Sequence, residues 1–119
     1  MKIKSLLLFL VVSFSGLVFA DGATSTMASV LIGLNHFPSA DDKVALAEIA
    51  ENPSSSADEK ALAQIISRIA HKASPGDKAT LEAMVSGDSD AAVKTIASAI
   101  LSTNHQPSAA DKGALEALL

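Results

Sequence analysis

The chain has 119 residues, 49% of them hydrophobic, with 9 Lys and Arg against 13 Asp and Glu and no Cys, Trp or Tyr. An acidic balance without basic clusters or stacking aromatics excludes phosphate-backbone, base-stacking and anionic-lipid recognition, so no nucleic-acid partner is expected. The absence of cysteine excludes disulfide stapling, thiolate chemistry and a thioether lipid anchor.

Residues 1–20, MKIKSLLLFLVVSFSGLVFA, place Lys2 and Lys4 before an apolar run from Leu6 to Val12 and end on small residues at Val18 and Ala20. That order predicts a secretory signal peptide cleaved between Ala20 and Asp21, with export to the periplasm or exterior. The apolar run is short of the roughly 20 residues that cross a bilayer, so no membrane attachment is expected after cleavage. Loss of Lys2 and Lys4 leaves 7 basic against 13 acidic residues, net −6, and Phe37 as the lone aromatic side chain of residues 21–119. A chain of that size buries roughly 60–70% of its unfolded surface, enough for one domain.

Within 21–119 the sequence repeats. The segments HFPSADDKVALAEI from His36, HKASPGDKATLEAM from His71 and HQPSAADKGALEAL from His105 share one skeleton, and the histidines lie 35 and 34 residues apart. Apolar positions keep step: Met27, Leu62 and Ile96; Val30, Ile65 and Ala99; Leu31, Ile66 and Ile100; Leu46, Leu81 and Leu115; Ile49, Met84 and Leu118. The units are 21–53, 54–88 and 89–119, each read as two helices, which gives an all-α chain of three tandem helical hairpins and six short helices. First helices are expected over about Thr26 to His36, Ser56 to Lys72 and Ser89 to Thr103, on apolar spacings such as Leu62, Ile65, Ile66 and Ile69. Second helices are expected over about Ser39 to Asn52, Ser74 to Ser86 and Ser108 to Leu118, with Pro53 and Gly87 ending two of them and Pro38, Pro75 and Pro107 marking the turns.

Ser39, Ser74 and Ser108 each precede an aspartate, Asp42, Asp77 and Asp111, by three residues. This is the spacing of a helix N-terminal box, in which the hydroxyl accepts from a backbone N–H one turn in and the carboxylate reaches back. Ser56 with Glu59 repeats it at a first helix. Lys43, Lys78 and Lys112 read as a solvated face, with Glu82 and Glu116 at i+4 from the last two.

His36 falls opposite the stripe Met27, Val30, Leu31 and Leu34 or just beyond the helix end, and the histidines read first as turn residues. Histidine is also the commonest metal ligand, so His36, His71 and His105 are the candidate metal residues. In an open stack of hairpins, equivalent positions lie on the order of 10 Å or more apart, against about 2.0 Å for a zinc–nitrogen bond, which argues against one shared site. Within a unit no second ligand recurs, since Asp41 has Gly76 and Ala110 as counterparts.

Enzyme chemistry is not expected. No phosphate loop, cysteine nucleophile or His-Glu-x-x-His motif is present, Met27 and Met84 fall on core stripes, and no cofactor is implied. The sequence therefore points to an exported, non-enzymatic module that holds a protein partner, or forms a homodimer, on a face of its helices. The alternative is a low-affinity Cu or Zn protein using the three histidines. Because the last helix ends ALEALL without a polar cap, Leu118 and Leu119 are expected to fold back on the core or to bury in a homodimer.

Overall fold

Apolar residues spaced at three and four positions form one stripe per helix, and each stripe must find another to cover it. The structure, a computed structural model, describes residues 19–119. The expected signal segment, residues 1–20, lies outside the described residues except for its last two. Six helices and no strand are found among the described residues: α1 (Phe19–Ile32), α2 (Ala40–Glu51), α3 (Ala57–Ser67), α4 (Pro75–Ser86), α5 (Ala91–Ser102) and α6 (Ala109–Glu116). The fold is all-helical.

The first helices α1, α3 and α5 pack against one another in all three pairings. Around them α2 lies on α3, α4 on α5 and α6 on both α5 and α1, so the last helix returns to the first and closes a ring. The core is a single cluster in which the in-step positions meet. Met27, Leu62, Ile96, Leu31, Ile66 and Ile100 are all fully buried, as are Leu46, Leu81 and Leu115 from the outer helices. Ala28, Ala63 and Ala97 are buried at equivalent places, and their small side chains let the three inner helices approach closely. Closure also accounts for the C-terminus: Leu118 packs against the core, whereas Leu119 stays 65% exposed.

Helix starts follow the serines. The Ser39 and Ser56 hydroxyls each accept from the backbone N–H three residues on, and their own backbone N–H groups donate back to the carboxylates of Asp42 and Glu59. Ser74 and Ser108 accept from the Asp77 and Asp111 N–H in the same way, but there the carboxylates accept from side chains, Asp77 from Arg68 and Asp111 from the hydroxyls of Ser102 and Ser108. Asp90, not a serine, caps α5 through Val93 N–H, so that helix begins two residues later than its spacing predicted. Lys112 donates to Gln106 Oε1 at 2.6 Å, across the turn before its helix, in place of the expected pairing with Glu116.

Helix ends depart further from expectation. The first helices stop at Ile32, Ser67 and Ser102, four, five and one residues before the positions the periodicity predicted. The residues gained by the connection include His36 and His71, and at all three histidines the backbone leaves the right-handed helical region.

Candidate metal centre

His36, His71 and His105 have φ of 74°, 72° and 75°, and among the described residues they are the non-glycine positions with positive φ. Positive φ brings Cβ against the backbone, at about 1–2 kcal/mol for an ordinary L-residue; His shares with Asn and Asp a higher tolerance for it. At His36 the reversal is closed by Phe37 N–H donating to the Asn35 carbonyl at 2.9 Å, the i+2 to i bond of a three-residue turn. A three-residue turn with positive φ at its centre is rare and strained. The same antiparallel bridge links the residues on either side of His71, Ala70 and Lys72, and of His105, Asn104 and Gln106.

Each turn is pinned from both sides. Leu34, Ile69 and Thr103, two residues before the histidines, are buried, and so are Pro38, Ala73 and Pro107, two residues after. Buried residues at both flanks hold the chain down while the residue between them is pushed outward. Pro38 and Pro107 also keep Phe37 and Gln106 extended, because a following proline disfavours the helical region.

A strap crosses two of the turns. Arg68, at the end of α3, reaches Asp77 in the first turn of α4, with Nη2 donating to Oδ1 at 2.8 Å and Nε to Oδ2 at 3.3 Å. At the equivalent positions Ser102 Oγ donates to Asp111. Gly33 occupies the corresponding place in the first unit, and there Asp42 returns to its own helix start. The hydrogen bond from Arg68 holds the Asp77 carboxyl below the usual carboxylate range. Its folded pKa is therefore the lower one, so this stabilisation is present above the unfolded value and fades as pH falls through the folded one. Arg68 is 56% exposed, so the pair is worth about 0.2–1 kcal/mol. Asp77→Asn should lower stability by that amount at pH 7 in urea titrations and have no effect at a pH below both values.

The backbone of the three turns joins in a closed cycle. His36 N–H donates to the His105 carbonyl at 2.8 Å, His71 N–H to the His36 carbonyl at 2.6 Å, and His105 N–H to the His71 carbonyl at 2.6 Å. Each histidine thus gives and receives one bond, which places three residues from three units around one approximate threefold axis. The side chains follow. Nδ1 of His36 lies 3.2 Å from Nδ1 of His71 and 2.8 Å from Nδ1 of His105, and the remaining pair is 3.0 Å apart. The rings stand nearly perpendicular to one another, 76–83° between planes, with centroids 4.6–5.0 Å apart. The nitrogens therefore converge more closely than the rings do.

This placement corrects the separation expected from an open stack. Equivalent positions lie far apart when hairpins add along a line, but here three units turn about a common axis and the residue nearest that axis meets its own copies. The second ligand missing within each unit is supplied by the other two units.

No family model matches the sequence, and no curated protein or solved structure is significantly similar to it. The chemistry of the cluster is therefore read from its own atoms.

A neutral imidazole nitrogen either carries a proton and donates or presents a lone pair and accepts. Three mutually adjacent Nδ1 atoms share two states, so in every protonation pattern at least one contact sets donor against donor or lone pair against lone pair. No arrangement of protons satisfies all three contacts. A cation between the nitrogens does satisfy them, since all three lone pairs then point at one positive charge. The spacing fits as well. With metal–nitrogen bonds of about 2.0–2.1 Å, these separations subtend roughly 85–105° at the ion, which stands about 1 Å off the plane of the nitrogens. The group holds three histidines and no carboxylate or further histidine among the described residues.

Proposed function

We propose that the protein binds a divalent transition-metal ion on Nδ1 of His36, His71 and His105. The observation that carries this reading is the triangle of Nδ1 atoms 2.8–3.2 Å apart, which protons leave frustrated and a metal ion resolves. The left-handed backbone at all three residues supports it. Strain repeated at three equivalent positions is retained where function repays it, and what it achieves here is convergence of three ligand atoms. Neutral imidazole suits Zn, Cu, Ni and Fe(II), while an all-nitrogen set is unsuited to Mg or Ca.

The reading includes export, supported by the leader-like order of residues 1–20, and a repeated two-helix unit of about 34 residues, supported by the in-step core positions. It is non-enzymatic. The cavities bordered by Gly22, Glu48 and Asn52 and by Gly22, Ala92 and Leu118 do not include the histidines. No described helix is long and apolar enough to cross a membrane. The reading ranks metal binding above a protein-holding helix face, because no helix face has a feature as specific as the histidine cluster.

Calorimetric titration with Zn²⁺, Cu²⁺ and Ni²⁺ tests the reading. Submicromolar binding is expected for the parent protein. In a variant carrying His36→Gln, His71→Gln and His105→Gln it should weaken by more than about a hundredfold, because second-sphere changes alone cost 10–100-fold. Equal binding by parent and variant would refute the assignment.

A further inference from the structure

We infer that the metal ion is shared between two copies of this chain, each contributing His36, His71 and His105 to one six-nitrogen site. This rests on the metal-binding reading and adds to it the partner that completes the coordination sphere.

Three features of the cluster lead there. First, angles of roughly 85–105° at an ion bound by 2.0–2.1 Å bonds bring the triangle close to one face of an octahedron, which leaves the opposite face open. Second, no carboxylate or further histidine among the described residues joins the group to fill that face. The group contains three histidines, of which His71 and His105 are exposed, and no fourth ligand among the described residues. The open side looks onto solvent, and a donor set brought on another protein surface can reach it.

Third, the surface around the open face suits a second copy. The segments Asn35–Phe37, Ala70–Lys72 and Asn104–Gln106 contain no carboxylate, although the chain as a whole carries a net charge of −4. Two copies meeting turn to turn thus keep their acidic residues out of the immediate contact. Phe37, next to His36, is 60% exposed, an apolar side chain beside the ion with no cover from its own fold. Face-to-face docking buries it, and three imidazoles from each copy give an octahedron with every position filled by nitrogen. The approximate threefold axis makes the register easy to meet, because rotating one copy by a third of a turn again presents three nitrogens.

Ni²⁺ is the appropriate probe, since it takes imidazole ligands readily. Metal-free protein is titrated with Ni²⁺ by calorimetry, and each mixture is sized by multi-angle light scattering. Saturation is expected at half an ion per chain, together with a doubling of mass from the metal-free monomer that EDTA reverses. Saturation at one ion per chain with unchanged mass would overturn the inference and leave the metal site standing, with water on the open face. A doubled mass before metal is added would equally overturn it. Failure to bind Ni²⁺, Zn²⁺ or Cu²⁺ removes the underlying metal reading as well, so the two failures are distinguishable.

Discussion

Metal at about a hundred times its dissociation constant is expected to raise the melting temperature by roughly 10–20 °C. The estimate follows from linkage, since a ligand bound by the folded state alone at that excess contributes about 2.7 kcal/mol, and in a domain of 60–100 residues each kcal/mol moves the midpoint by about 4–8 °C. The premise holds well here, because the ligands lie 35 and 34 residues apart and meet through ring closure and the backbone cycle. An unfolded chain has no comparable site, although stray binding to single histidines reduces the gain. Differential scanning calorimetry with and without Zn²⁺, on the parent and on the variant with all three histidines changed to Gln, reads the effect. A shift in the parent that vanishes in the variant is the expected result. A shift common to both would place the metal elsewhere, and no shift in the parent at proven saturation would mean that the site survives unfolding.

Much of this fold is legible in the chain because it rests on local rules. The stripe Leu62, Ile65 and Ile66 is a matter of helical spacing, and those residues are buried where the spacing puts them. Ser39 and Ser56 set their helix starts through bonds spanning three residues. Ring closure is a different kind of property. It depends on the angle through which each unit turns relative to the last, a sum of many small contacts at positions such as Ala28, Ala63 and Ala97, and alanine at these places is equally compatible with an open stack. Everything about the metal centre depends on that angle. Periodicity ran the first two of these helices up to His36 and past His71, since residues before a turn such as Asn35 or Ala70 do not by themselves forbid a helix. A signal was present nonetheless: a ligand-type residue recurring three times at one place in the unit, on the unburied side, is what a closed threefold array needs to build one site. The further ligands of each histidine lie in the other two units and not in its own.

Replacing all three histidines with glycine is expected to abolish metal binding and to make the metal-free protein more stable. Positive φ costs an L-residue about 1–2 kcal/mol, whereas glycine adopts it freely at an entropic penalty of about 0.5–1 kcal/mol, so each replacement gains on the order of 0.5–1 kcal/mol. Three sites together give about 1.5–3 kcal/mol, toward the lower end because histidine tolerates positive φ better than most residues. Removing the imidazoles also relieves the unsatisfied contact among the Nδ1 atoms, and the backbone cycle from His36 to His71 to His105 uses only main-chain groups that glycine retains. The variant carrying alanine at all three positions separates the two effects, because it lacks the ligands yet keeps the backbone penalty. It should fall well below the glycine variant in urea unfolding measured with EDTA present. This order, with glycine above parent and alanine below glycine, is the one expected if the histidines are held at a cost to stability for the sake of the ion. A glycine variant less stable than the parent by several kcal/mol would show that the imidazoles hold the three units together by themselves, and the cluster would then have to be read as part of the core of the fold.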